Sequence, residues 1–442
     1  MQVNKVIFCF FILYSFIYSY LSGFTISESG QYVFGDNLIG PGGDVLVIDA
    51  DNVIIDLNQH IVGGGTRGIV IANGHSNIRI KNGAIAVAAI GLSIQDNCSS
   101  IGIENVGLSL CAARAIEMVG TSTGGVSDII LNGVAVRRCS SGPAADAVIH
   151  IENGDNVTIN RGSITNCGTI LRDIALLRIQ DSVECNCISL IMLNNEVRSL
   201  IGIDVVNSNN CKFQRCNIST SNVVGSPGNF TGIRLTGTQQ VSNLFSKCSI
   251  LDNTCDNEFI GFDIQNNSKG TIIGKSGVTE NRAQTLAIAY RVSGTGSPSS
   301  TMGTIFSEDN AVRNSASDIN ALVAGFQIQR ADEGTIRKCI SSYNEAEQGE
   351  AHGILFESGF GGNEWTLLEN EIIGNVGNSA ANSFGINVAT GSDNLFVKNV
   401  AFDNGAISAN QMAGIAAGSI QQLNPSNLNS ATSPWSNIVV TT

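Results

Sequence analysis

Gly202-Ile203-Asp204-Val205, Gly232-Ile233-Arg234-Leu235 and Gly261-Phe262-Asp263-Ile264 are three copies of one pattern: a small residue, then two apolar side chains flanking a position of free choice. Upstream the pattern recurs as Gly68-Ile-Val-Ile, Gly91-Leu-Ser-Ile, Ala115-Ile-Glu-Met, Val148-Ile-His-Ile and Leu176-Leu-Arg-Ile. Downstream it returns as Ala289-Tyr-Arg-Val, Gly325-Phe-Gln-Ile, Gly353-Ile-Leu-Phe, Gly385-Ile-Asn-Val and Gly414-Ile-Ala-Ala, making thirteen copies 23 to 36 residues apart. A second alternation follows within most copies, as in Ile78-Arg-Ile-Lys-Asn, Ile101-Gly-Ile-Glu-Asn, Val157-Thr-Ile-Asn and Leu395-Phe-Val-Lys-Asn, and a third short strand often follows that. Alternation with a period of two is the signature of strands, and neither the 3.6-residue period of helical repeats nor a leucine framework is present. Short strands with Gly or Asn at each corner fit a chain wound into stacked rungs, each burying its apolar face against the next.

Composition agrees with a folded chain. The 442 residues hold 49 Gly but only 6 Pro, and 14% are charged, which excludes collagen, proline-rich linkers and charged disordered chains. With 24 basic against 37 acidic residues the net charge of −13 offers no grip on a phosphate backbone, so no nucleic-acid partner is expected. Residues 1–23 read as a secretory signal peptide: Lys5 precedes the apolar run Val6 to Leu21. The run is close to the lower limit of a membrane span and no Ala-x-Ala site follows it, so a retained N-terminal anchor is the alternative; no later segment resembles a span. Of the twelve cysteines Cys9 lies in the leader. The eleven that remain are an odd number, irregularly spaced and without a CxxC pair, and only His60, His75, His150 and His352 could join them as ligands. We expect no metal site and no cofactor, and buried thiols filling narrow corners in place of a disulfide framework.

The repeat, together with the stretch Ile48-Asp-Ala-Asp-Asn-Val-Ile-Ile-Asp-Leu-Asn-Gln-His-Ile-Val-Gly, resembles the right-handed parallel β-helix proteins of the pectate-lyase-like superfamily over roughly residues 24 to 424. The resemblance implies an all-β solenoid of about thirteen coils. Its segments would be an N-terminal cap at 24–47, the β-helix at 48–424 and a C-terminal tail or cap at 425–442. It also implies that the first-strand face forms a saccharide groove. Corner positions Asn82, Asn105, Cys216, Cys248, Cys339, Asn370 and Asn399 are expected to stack as one column of small side chains. Pro143, Pro227 and Pro298 mark lengthened surface loops, and Phe360 with Trp365 is the one aromatic cluster expected to be exposed.

If the first strands stack in register, the free position forms a solvent-facing column: Val70, Ser93, Glu117, His150, Arg178, Asp204, Arg234, Asp263, Arg291, Gln327, Leu355, Asn387, Ala416. From Arg178 to Arg291 its sign alternates on rungs about 4.8 Å apart. A second polar column two residues on holds Gln95, Glu152, Gln180, Thr236, Gln265, Ser293, Gln329 and Glu357. Alternation by itself stabilises a sheet by roughly 0.2 to 1 kcal/mol per pair. The same arginines also offer planar donors to sugar hydroxyls or carboxylates, and glutamines both donate and accept. Catalysis is poorly served. Asp204 and Asp263 stand two rungs apart, at the edge of the inverting-glycosidase window, and Arg234 between them favours both ionised forms. No tight acidic cluster for Ca²⁺ is visible on this column, and the Asp49, Asp51 and Asp56 group belongs to turns of the opening coil. The sequence therefore points to a secreted or cell-surface protein that binds a polysaccharide, surface glycan or other polar polymer through Arg178, Asp204, Arg234, Asp263, Arg291, Gln180 and Gln265. Two alternatives stand beside it: a polysaccharide lyase or glycoside hydrolase, and a structural or adhesive rod without sugar binding.

Overall fold

The computed structural model describes residues 23–121, 124–140, 142, 146–237, 240–266, 268–294, 301–357, 363–378, 383–389, 394–404, 412–413, 420–423 and 437–440. The leader up to residue 22, Pro143, Pro298, Phe360, the Gly414 copy with Ala416, and most of the tail at 425–442 lie outside them. The described residues form strands joined by tight corners, and among them no helix is long and apolar enough to cross a membrane. The protein is a parallel β-helix, divided into two compact units at Val197/Arg198.

In the N-terminal unit seven first strands pair in parallel in chain order, from Phe24–Ile26 through Asp44–Ile48, Arg67–Ile71, Ile90–Ile94, Arg114–Val119 and Ala147–Glu152 to Asp173–Gln180. In the C-terminal unit eight do so: Ser199–Val206, Phe230–Thr236, Glu258–Gln265, Leu286–Ser293, Leu322–Gln329, Glu350–Phe356, Phe384–Val388 and Met412–Ala413. Inside each unit the register follows the sequence pattern until the last step. There Asn387 pairs with Ala413, so the final rung is set three residues earlier than Ala416. The segment 24–47, expected as a cap, is itself wound as a coil: Phe24–Ile26, Gly30–Val33 and Leu38–Gly40 each pair in parallel with the rung that follows.

Where glycine opens a copy it has a steric cause. A Cβ on Gly232 would lie 2.4 Å from Ile250 Cδ1 and 2.6 Å from the Gly261 carbonyl oxygen of the next rung. The backbone passes too close to its neighbour for a side chain there. Further along the strand the inward residues fill the core; Phe262, Tyr290 and Phe326 stack face to face on successive rungs at 5.2 and 4.8 Å between centroids, and Phe306 meets Tyr290 edge-on. Trp365 belongs to this core as well. It is fully buried, its Nε1 donates to the Ala331 carbonyl at 2.7 Å, and it packs edge-on to Phe356, so it is not the exposed platform read from the sequence.

Corners carry the remaining specificity. Asn82 and Asn105 adopt the left-handed conformation (φ 58° and 52°), a turn position that asparagine tolerates. In the C-terminal unit that position belongs to charged residues such as Arg215, Lys247 and Lys338, and the buried small residue comes one later, at Cys216, Cys248 and Cys339. The expected single column is thus two adjacent ones. A second inner corner holds a buried asparagine ladder: Asn253, Asn281, Asn314, Asn344, Asn375 and Asn404. Asn253 Oδ1 accepts the Ser221 N–H, and from Asn281 onward each Oδ1 accepts the backbone N–H and side-chain Nδ2 of the asparagine one rung before, as at Asn253 to Asn281 (3.1 and 3.0 Å) and Asn375 to Asn404 (3.0 and 2.8 Å). In the N-terminal unit Cys111, Cys139 and Cys167 play this part, each backbone N–H donating to the next Sγ at 3.4 Å until Cys167 donates to Asn195 Oδ1. All eleven cysteines after the leader are buried thiols, and no disulfide is present among the described residues.

Candidate functional site

The first-strand columns are in register inside each unit. In the C-terminal unit Asp204, Arg234, Asp263, Arg291 and Gln327 are successive Cα partners. The column is less open to water than alternation alone suggests, because the two carboxylates are buried at 0% and 2% exposure. Each is clamped by the arginine of the following rung. Arg234 donates through Nε and Nη2 to Asp204 at 2.9 and 3.0 Å, and Arg291 does the same to Asp263 at 2.8 and 2.7 Å. The ladder is therefore two bidentate pairs, in which a buried carboxylate fixes the plane of a guanidinium that remains 30% or 20% exposed. The Nη1 of each arginine has no hydrogen bond to the described residues. Gln265 donates to Asp263 Oδ2, and Gln327, buried beyond Arg291, has no partner for its Oε1 among the described residues. Thr236, Gln265, Ser293 and Gln329 line the neighbouring half-buried column.

Arg178 and Gln180 belong to the N-terminal unit, where the surroundings differ. Val70, Ser93, Glu117, His150 and Arg178 are successive register partners. Arg178 Nη1 donates to Asp146 Oδ2 at 3.3 Å, and Gln180 donates to Asp181 at 3.1 Å. Asp146 also accepts from Arg114 Nε and Nη2 at 3.0 and 2.8 Å, while Arg114 Nη1 reaches Glu117. Burial disfavours charge on Asp146, yet the hydrogen-bonded Arg114 outweighs it and holds the carboxyl below its ordinary range. His150 sits inside this cluster, buried, with its pKa pushed down to about 4 by burial first and then by Arg114. Sequence reading missed Arg114 and Asp146. Arg114 opens its strand ahead of the four-residue copy and Asp146 precedes its own, so neither falls on the repeating position.

Elsewhere, Asp51 and Asp56 serve turns as expected: Asp51 accepts the Ser76 N–H at 2.7 Å, and Asp56 accepts that of Asn58 at 3.0 Å. A cavity of about 540 Å³ among Leu110, Arg137, Arg138 and Asn166 lies at the third-strand corner, apart from the first-strand face.

No family model matches the chain, and no curated protein matches it. Among solved structures it is similar to the periplasmic alginate epimerase AlgG, at 8% identity and TM-score 0.42 over 79% of this chain and 76% of that one. It is similar also to PfbA, a surface adhesin of Streptococcus pneumoniae, at 9% identity and TM-score 0.37 over 78% and 82%. The catalytic domain of a GH87 α-1,3-glucanase, solved with tetrasaccharides, matches at 12% identity and TM-score 0.32 over 84% and 63%. The likeness is one of coiled parallel architecture.

Proposed function

We propose that the protein acts at the cell surface or outside the cell, binding a glycan or another polar polymer along its first-strand face. One observation carries the reading: Arg234 and Arg291 are each locked by a buried aspartate through one edge and present an Nη1 without a hydrogen bond to the described residues, beside half-buried Gln265, Ser293 and Gln329. Donors fixed in this way bind without first losing side-chain freedom, which otherwise costs about 0.5 to 1.5 kcal/mol for each immobilised side chain. Arg178 and Gln180 supply the same residue types in the N-terminal unit. Both aspartates of the C-terminal column are occupied by arginines, which leaves a binding face better supported than a hydrolytic pair.

The test is a glycan array followed by titration of the mature chain. Removing an arginine alone strands a buried carboxylate at a cost of about 3 to 5 kcal/mol, so the informative variants are the neutral pairs Asp204→Asn/Arg234→Gln and Asp263→Asn/Arg291→Gln. Each should weaken binding at least tenfold while the β-sheet circular dichroism is retained. Unchanged binding in both would remove the assignment.

A further inference from the structure

The cavity at the third-strand corner of the N-terminal unit has no part in the first-strand face. It measures about 540 Å³, within the range of small-molecule sites, and Arg137 and Arg138 both line it. The coil explains their pairing. Arg137 ends the strand Ala135–Arg137 as an outward residue, in register with Thr165 one rung on. Arg138 then takes the left-handed corner (φ 53°) that Asn166 and Asn194 occupy on the two rungs after it. Both arginines are exposed, and neither side chain has an ion pair or hydrogen bond among the described residues. Arg67, Arg79, Arg114 and Arg178 of the same unit, by contrast, each reach a carboxylate. No carboxylate lines the cavity. In a chain of net charge −13, two cations without counter-charge on one concave surface favour an anion from outside.

The kind of anion follows from the donors. A carboxylate has two oxygens, and a single guanidinium fork engages both. A phosphate or sulfate ester carries three terminal oxygens, so it takes the fork of one arginine and still accepts from the second. Thr165, Asn166 and Asn194 add hydroxyl and carboxamide groups, which both donate to and accept from hydroxyls, and Leu110, 52% exposed, forms an apolar wall. We propose that this cavity is a second binding site, taking the phosphate or sulfate ester of a small hydroxylated molecule, with Arg137 and Arg138 on the anion and Thr165, Asn166 and Asn194 on the hydroxyls. It is separate from the glycan-binding face, so its failure would leave that reading standing.

The experiment is calorimetric titration of the mature chain, in phosphate-free buffer at pH 7.5 and 50 mM NaCl, with glycerol 3-phosphate, glucose 6-phosphate, glucose 6-sulfate, glucose, and inorganic phosphate and sulfate. At least one ester should bind one-to-one and more tightly than the inorganic anions, and glucose should not bind. Arg137→Gln and Arg138→Gln should each weaken that binding at least tenfold. Replacing both arginines by lysine should weaken it at least fivefold, because an ammonium keeps the charge and loses the fork. Arg161→Gln, at an exposed position on the neighbouring rung outside the cavity, should leave it within twofold. The substituted side chains hold no partner in the fold, so melting temperatures should be unchanged. Lowering the pH to 5 should weaken a phosphate ester, which loses its second charge near pH 6, and leave a sulfate ester as it was; that contrast tells the two sources apart. Wild-type affinity in both glutamine variants, an equal loss in Arg161→Gln, or silence with every ester would overturn the site. Esters no tighter than the inorganic anions would overturn the hydroxylated ligand.

Discussion

Asp309→Asn should reverse its effect on stability with pH. Asp309 is fully buried in a corner column whose other members are uncharged: Ser276 precedes it, and Cys339, Asn370 and Asn399 follow. Its Oδ1 accepts the Ser276 N–H and its Oδ2 the Ser307 N–H, both at 2.8 Å, yet burial outweighs these bonds and raises its pKa from 3.8 to about 7. Because the folded pKa lies above the unfolded one, the native state gains protons on folding. The group's contribution is fully present below pH 3.8, and it is lost as pH rises through 7. A shift of roughly three units is worth about 4 kcal/mol in full, of which about 2 to 3 kcal/mol falls between pH 5 and pH 8. Asparagine escapes that penalty. It can turn its Nδ2 toward a carbonyl, as Asn370 and Asn399 do toward Ile336 and Leu367 at 2.9 and 3.0 Å, and it forfeits the Ser307 bond at about 1 kcal/mol. The variant should therefore be less stable than the wild type at pH 4 and more stable, by about 3 kcal/mol, at pH 8. Urea midpoints followed by circular dichroism at pH 4, 5, 6, 7 and 8 would show the crossing, and taking the difference between the proteins cancels the other carboxylates. A difference that stays constant with pH would refute the argument.

Gly232→Ala should cost more than 2 kcal/mol in urea unfolding, since the added methyl overlaps both Ile250 and the next backbone, and a loss below 0.5 kcal/mol would mean the rungs are looser than described. Gly334→Ala places a methyl 2.3 to 2.4 Å from three Trp365 ring atoms; near-ultraviolet circular dichroism should report a displaced indole, and an unchanged spectrum would contradict the packing. Asn314→Ala strands the amide of Asn281, which donates to its Oδ1, and the Val278 carbonyl, which accepts its Nδ2, so about 2 to 4 kcal/mol should be lost. Ellman's reagent should modify none of the eleven buried thiols before denaturation and all of them after it; rapid reaction of any one in the native protein would refute their burial.

The coil was legible because its constraints repeat. The glycines that open most copies are imposed by backbone approach, the inward Ile, Val and Phe by the core, and the pattern recurs from coil to coil, which fixed the register from Val70 to Arg178 and from Asp204 to Asn387. Alternation assigns a side chain to a face but carries no information on what surrounds it there. Asp204 and Asp263 were therefore placed on the correct face and wrongly opened to water. Arg114 and Asp146 escaped notice because the cluster around His150 draws on residues flanking the motif. The asparagine ladder had a usable signal: Asn253, Asn281, Asn314, Asn344, Asn375 and Asn404 recur once per coil, 28 to 33 residues apart. It was hidden among the many other asparagines of the chain.

That ladder has a direction. Each amide at the corner is sealed by a carboxamide arriving from the coil after it, never from the one before. As the chain emerges from the ribosome, a finished turn still waits on its successor for closure, so the growing edge always stays one coil ahead of its own seal. Shortening the protein from its C-terminal side therefore bares a donor wherever the cut falls within the ladder, whereas removing one whole internal coil would leave the succession of donors and acceptors intact.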